Sequence, residues 1–309
     1  METLLVTHPA CLEHETPPGH PECVDRLRAV LHALEAEEFA LLMRATAPRA
    51  TIEALERVHP PIHVETILNG APQTGFRRVD ADTAMSPGSA EAALRAAGAV
   101  TFAVDEIMAG RARNAFCAIR PPGHHAEPAQ AMGFCLFNNV AVGALHARVA
   151  HGLERIAVVD FDVHHGNGTQ ASFETDPGLF YASTHQWPLY PGTGRAGERG
   201  LGNILNRPLP PGADPAEFRE AIREEILPAL ERFAPHFLFI SAGFDAHAAD
   251  PLANMRLTED DYGWVTAELV AFAGRVCEGR VVSTLEGGYD LAALAASARA
   301  HVRALMLTY

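Results

Sequence analysis

The stretch Val158-Val159-Asp160-Phe161-Asp162-Val163-His164-His165-Gly166-Asn167-Gly168 (VVDFDVHHGNG) opens as the tail of an apolar run and then sets two aspartates and two histidines within six residues. The run itself, RIAVV at 155–159, is short, β-branched and strand-like. In an extended chain residues i, i+2 and i+4 share a face, which aligns Asp160, Asp162 and His164. One carboxylate and one imidazole on that face suit zinc or another divalent transition metal, with Asp162 and His164 as ligands and Asp160 a layer behind. The competing reading is a solvated loop that happens to spell D-x-D-x-H. What other segments bring to the same place separates the two.

Outward from this stretch, short apolar runs alternate with longer helix-like ones. ETLLVTH (2–8), NAFCAIR (114–120), RIAVVDFD (155–162), GLFYAST (178–184), HFLFISAG (236–243) and RVVSTLEGG (280–288) read as strands. Residues 21–39, 89–110, 138–152, 215–233 and 258–277 carry apolar positions at i, i+3, i+4 and read as helices. This alternation predicts an α/β fold, a mainly parallel sheet covered by helices on both faces, because such strands are buried on both sides and lose their in/out alternation. Sheets of that kind bind ligands beyond the carboxyl ends of their strands.

Three further strand ends carry chemistry. After HFLFISAG comes Asp245, a third oxygen donor; Asp, His, Asp with an open fourth position is the pattern of a catalytic rather than a structural site. Taken alone, Asp245 reads equally well as a helix N-cap. After NAFCAIR a Pro-Pro-Gly turn precedes His124 and His125, a pair able to act as general base and general acid, with Asp160 and Asn167 available to orient them. Two surface histidines are the plainer alternative. After RVVSTLEGG stands Tyr289, whose hydroxyl could donate to a developing oxyanion, or which could be a core tyrosine.

Composition narrows the partners. Lys+Arg 24 against Asp+Glu 38 leaves a net charge of −14, which argues against nucleic acid and anionic membranes. With 309 residues, 48% hydrophobic and 20% charged, the chain is an ordinary globular sequence able to bury a large core. The five cysteines are scattered, odd in number and free of C-x-x-C pairs, so reduced thiols in the cytoplasm are expected. Neither a signal peptide nor a membrane-spanning run is read, nor any repeat or linker.

Taken in order, the motifs resemble the zinc-dependent histone deacetylase family of the arginase–deacetylase superfamily. They are GHPECVDRL at 19–27, RPPGHHA at 120–126, GFCLFNN at 133–139, VDFDVHHGNGT at 159–169, YPGTG at 190–194, SAGFDAHAADPL at 241–252 and LEGGYD at 285–290. The resemblance spans residues 2–305 and implies a single catalytic domain over 1–309, with about eight strands sandwiched by helices in the arginase–deacetylase fold. It implies one catalytic Zn2+ on Asp162, His164 and Asp245, tandem histidines His124 and His125 backed by Asp160 and Asn167, and Tyr289 polarising the scissile carbonyl. It further implies a channel walled by Gly133, Phe134 and Tyr190, and a structural K+ among oxygens of Asp160, Asp162, His164, Ser183 and Thr184. Asp176 and Leu179 fall at a second monovalent site, though neither residue type is distinctive.

The implied reaction is hydrolysis of acetyl or acyl groups from the ε-amine of lysine, with His125 favoured as base. Asn167 stands where some members have Asp, which points to the class II-like and bacterial branch, the histone deacetylase-like amidohydrolases, and biases His125 less toward its cation. Tyr190 stands where Phe is common. Leu252 stands where acetylpolyamine-selective relatives can have a Glu facing the distal ammonium, so a small acetylated amine is the second substrate reading. A binuclear manganese ureohydrolase and a silent acyl-lysine-binding module are the remaining alternatives. Acyl length, natural substrate and a homo-oligomeric state stay open.

Overall fold

The structure is a computed structural model and describes residues 2–307. In chain order its elements are β1 (Thr3–Thr7), α1 (Val24–Ala33), β2 (Met43–Thr46), α2 (Ile52–Glu56), α3 (Pro61–Leu68), β3 (Arg77–Arg78), β4 (Ala84–Met85), α4 (Ser89–Met108), β5 (Asn114–Cys117), α5 (Asn139–His151) and β6 (Ile156–Asp160). Then come α6 (Asn167–Phe173), β7 (Leu179–Gln186), β8 (Ile204–Leu209), α7 (Pro215–Glu220), α8 (Leu227–Phe233), β9 (Phe237–Ala242), α9 (Glu259–Val276), β10 (Val281–Leu285) and α10 (Leu291–Met306).

Eight strands form one parallel sheet in the order β2-β1-β5-β10-β9-β6-β7-β8, with β3 and β4 a separate antiparallel pair. The four central strands, β5, β10, β9 and β6, are buried along their whole length, as strands covered on both faces must be. Helices α4 and α5 pack together, and α1, α9 and α10 form a second packed group. The π-type stretch Ala221–Ile226 joins α7 to α8 just before Pro228, whose ring and missing N–H cannot continue a regular turn.

All six expected strands are present. The two edge strands, β2 and β8, escape a sequence reading because both are partly solvent-accessible rather than unbroken apolar runs, and β8 contains Pro208, a residue that parallel ladders tolerate at an edge. The expected helix over 21–39 is shorter: it ends at Ala33, and a separate 3-10 turn at Glu37–Phe39 buries Phe39. Helices α2, α3, α6 and α10 were not anticipated; α10 is alanine-rich and starts where Asp290 accepts from the Ala293 amide at 2.8 Å.

The connectivity fixes where a ligand can sit. From β6 the chain proceeds to β7 and β8 on one side, whereas from β9 it proceeds to β10 on the other. Loops leaving the adjacent strands β6 and β9 therefore diverge and open a crevice at their carboxyl ends. Asp162 and His164 follow β6, and Asp245 follows β9. Beneath them the core is close-packed, with Phe237 and Phe239 stacked at a centroid distance of 4.9 Å. Phe239→Ala should lower unfolding free energy by about 3–5 kcal/mol in urea titrations. A loss under about 1 kcal/mol would mean the sheet centre repacks freely.

Candidate active site

The period-two alternation of β6 continues past its end. Phe161 and Val163 stay in the core, while Asp160, Asp162 and His164 turn to the other side and are themselves buried. From β9, Gly243 and Phe244 lead to Asp245, whose Oδ1 accepts from the Val163 amide at 2.8 Å and so couples the two strand ends. His164 Nδ1 lies 3.1 Å from Asp162 Oδ1 and 3.1 Å from Asp245 Oδ2. Two glycines make this approach possible. A Cβ on Gly243 would stand 2.0 Å from Asp162 Oδ2, and one on Gly287 would stand 2.0 Å from Asp245 Oδ2.

The donor set fits a divalent transition ion. Ligand atoms of Asp162, His164 and Asp245 lie within 4.8 Å of one another, and no arginine hydrogen-bonds to either carboxylate among the described residues. A single proton on His164 Nδ1 cannot satisfy two carboxylates at equal distance. Burial and then the neighbouring Asp162 charge push Asp245 up to about 7, and, against burial, the two carboxylates hold His164 up at about 10. The cluster thus retains protons where a cation would otherwise sit. Its two oxygens and one nitrogen leave a coordination position open, as in catalytic sites. Among the described residues no second group of three such donors adjoins it.

The second such group, Asp105, His146 and His151, is a different object. Arg57 donates to His146 Nδ1 (3.1 Å), which puts that ring's proton on Nε2, directed at Asp105 Oδ1 (2.7 Å). His151 Nε2 reaches the same oxygen at 2.7 Å. These are completed hydrogen bonds, not ligands awaiting an ion.

Beyond β5 the turn Pro121-Pro122-Gly123 delivers His124 and His125. His124 donates from Nδ1 to Asp160 Oδ2 (2.9 Å), which Tyr181 also engages through its hydroxyl (3.0 Å). His125 donates from Nδ1 to Asn167 Oδ1 (2.8 Å); the orientation of that amide follows from Asn167 Nδ2 donating to Glu127 Oε1 (2.8 Å). Both rings therefore carry a proton on Nδ1 and leave Nε2 toward the site. Their charge states differ. Burial opposes the charged form of His124, but Asp160 and then Asp162 outweigh it and raise its pKa well above the ordinary value. Burial, followed by His124 and His164, drives His125 well below.

A pocket of about 220 Å³ opens onto this cluster, lined by Gly133, Phe134, Leu189, Tyr190, Leu252 and Asp82, with His125, His164 and Tyr289 at its inner end. Gly133 is required here: its φ is +57°, and a Cβ would stand 2.4 Å from the His125 ring. Burial and then the acid pair, partly offset by Arg26, raise the Tyr289 phenol well above its ordinary value, so its hydroxyl stays a donor. Ser183 pairs with Asp160 across β6 and β7, next to Thr184, and all three are buried. Near them, the main-chain carbonyls of Asp162 and His164 accept no hydrogen bond from the described residues, a fit for a monovalent cation.

Three residues were not read from the sequence. Glu286, fully buried, accepts from the amides of Gly123 (2.7 Å) and His124 (3.1 Å) and so pins the histidine turn to β10. Asp250 accepts from the amides of Tyr289 (2.7 Å) and Leu252 (3.0 Å). Asp82 lines the pocket mouth and accepts from the Gly133 amide at 3.1 Å. Glu286 and Asp250 both lie inside quoted motifs, and Glu286 had the clearer signal, an acid directly after an apolar strand. Gly287→Ala should weaken divalent-ion affinity about 10–100-fold in a chelator-competition titration while the protein stays folded, because the added methyl disturbs both carboxylates. Wild-type affinity in that variant would mean the ion is held elsewhere.

Comparison with known proteins places this geometry. The histone deacetylase domain family matches residues 20–305. Histone deacetylase 14, chloroplastic, of Arabidopsis thaliana is 41% identical over 93% of this chain and 73% of its own. The histone deacetylase-like amidohydrolase of Pseudomonas aeruginosa is 42% identical over 88% of this chain and 73% of its own. In three dimensions the HDA15 HD domain superposes with a TM-score of 0.93 at 37% identity, covering 99% of this chain and 88% of that one. With a family match over residues 20–305 and a matching fold, this chain belongs to the histone deacetylase family and is a hydrolase of the deacetylase kind.

Proposed function

We propose that residues 1–309 act as one zinc-dependent amidohydrolase that removes acetyl groups from the ε-amine of acyl-lysine in a peptide or protein. The observation that carries this reading is the pocket: apolar walls of Phe134, Leu189, Tyr190 and Leu252 lead to His125, His164 and Tyr289. Such walls suit the methylene stem of a lysine whose amide reaches the polar end. The acidic balance of the chain and its five free thiols support a reducing, cytoplasmic setting without nucleic-acid or membrane partners. No helix among the described residues is long and apolar enough to cross a membrane.

Held by Asp162, His164 and Asp245, a zinc ion would supply Lewis-acid polarisation of the acyl carbonyl and lower the pKa of water in the site. A potassium ion at the oxygens of Asp160, Asp162, His164, Ser183 and Thr184 would offset buried charge behind it. The protein's own groups divide the remaining work. His125, neutral and with its proton fixed on Nδ1, offers Nε2 to take a proton from the attacking water. His124, kept in its charged form by Asp160, delivers a proton to the leaving amine. Tyr289 donates its hydroxyl to the developing oxyanion. Its ring is steadied by the Arg26 guanidinium, 4.8 Å from the ring centroid.

One observation favours the smaller substrate. Asp82 puts a carboxylate at the mouth of the pocket, where the distal ammonium of an acetylated diamine would lie, and so restores a cue that Leu252 removes. The deciding experiment compares kcat/KM of the zinc-loaded enzyme on an acetyl-lysine peptide and on acetylputrescine. The peptide is expected to be faster; faster acetylputrescine turnover that collapses in Asp82→Ala would establish the alternative. Tyr289→Phe should lower kcat by about 10²–10³-fold, the usual consequence of removing one oxyanion donor. An unchanged kcat would remove Tyr289 from the mechanism.

A further inference from the structure

Between α6 and β7 the chain makes a tight turn, and three of its main-chain carbonyls, those of Phe173, Asp176 and Leu179, converge on one point. That point is filled by Nδ2 of Asn203, at 2.8, 2.9 and 2.7 Å respectively. A carboxamide nitrogen carries two protons, so three acceptors at this range exceed its donors and one bond must be shared. A ring of backbone carbonyls around a single positive centre is how proteins hold monovalent cations. The motif resemblance assigns Asp176 and Leu179 to such a site, and here the residues do not fit an ion, because a nitrogen of the chain already occupies its place.

We propose that the Asn203 carboxamide is a built-in replacement for a second monovalent cation. It rests on the proposed reading above only in treating the oxygens near Asp160 as the cation site that remains. The surroundings of Asn203 hold it in position. It is 4% exposed. Its Oδ1 accepts from the Leu201 amide at 2.9 Å, and its main-chain carbonyl accepts from the Tyr181 amide at 3.0 Å. Gly200, at φ +51°, leaves room for it, since a Cβ there would stand 2.7 Å from Asn203 Oδ1.

Charge points the same way. The Asp176 carboxylate is already paired with Arg148 and also accepts from the Gly178 amide at 2.9 Å, so no free negative charge is left beside the ring of carbonyls. Around Asp160 the situation is reversed: carboxylates accumulate, and the carbonyls of Asp162 and His164 have no donor among the described residues. One position calls for an ion, and at the other a neutral amide donor tethered to the chain already meets the carbonyls. The start of β7, which carries Ser183 and Thr184 to the site, is thereby held regardless of potassium concentration.

Thallium, a heavy mimic of potassium, tests this directly. Crystals of the wild-type enzyme grown in thallium acetate should show no anomalous peak within the carbonyls of residues 173–179; a peak there overturns the proposal. Asn203→Ala should show that peak. In choline chloride exchanged for KCl at constant ionic strength, Asn203→Ala should regain about 4 °C or more of melting temperature beyond the wild-type response. If Asn203→Ala binds no thallium there and gains no extra stability from KCl, the carbonyls are not a cation site and the proposal fails. Should that variant not fold, the wild-type thallium map decides alone. Deacetylase turnover on the same samples is read separately, so an inactive wild type would sink the proposed function without touching this result.

Discussion

Everything in this molecule is arranged around one electrostatic difficulty, the meeting of four buried carboxylates at the ends of three neighbouring strands. Asp160 and Asp162 come from β6, Asp245 from β9 and Glu286 from β10. Removing that much negative charge from water is prohibitive unless each oxygen finds donors. The donors are largely main-chain amides: Gly287 and His164 to Asp162, Val163 to Asp245, the Asp162 amide to Asp160, and Gly123 with His124 to Glu286. Side chains could be repacked, but amides come with the backbone path. The loops are therefore fixed by the charges they solvate, and glycines stand wherever a Cβ would press on a carboxylate.

The same principle separates two chemically identical side chains. His124 and His125 are adjacent in sequence, with ring centroids 4.1 Å apart, yet they face opposite electrostatic conditions. One is hydrogen-bonded to a carboxylate and the other to a neutral amide. A pair of imidazoles with like surroundings would share one charge indifferently; this pair has its preference built in. Asn167 is the residue that breaks the symmetry, and Glu127 behind it fixes which end of the amide faces the ring.

How far the sequence could be read follows from the range of the forces involved. The inner strands were legible because burial on both faces leaves an unbroken apolar run. The catalytic-type positions were legible because each follows such a run directly. Strands β2 and β8 were not, since a half-exposed edge resembles a loop. Asp82 and Asp250 lie in loops, and their partners Gly133 and Tyr289 are 51 and 39 residues away; Asp250 falls inside a quoted motif, but nothing local shows what either residue holds. Asn203 meets acceptors 24 to 30 residues earlier, a relation visible only once α6, β7 and β8 are assembled. Of the four helices that escaped, α2, α3 and α6 run only 5, 8 and 7 residues, too short to show a period, so packing decides them; α10, at 16 residues, was long enough to be read.

Apart from the histidines of the site, every side-chain cation of this sequence is an arginine: all 24 of its Lys+Arg positions are Arg. Guanidinium suits the buried roles, since Arg26 and Arg120 each use a fork of donors that an ammonium lacks. The absence of lysine has another side. These 309 residues contain no ε-amine, so metabolic acyl donors find no lysine here to modify. Within these residues, ordering a side-chain cation other than a histidine therefore always means ordering a guanidinium, which stays charged however deeply it is buried.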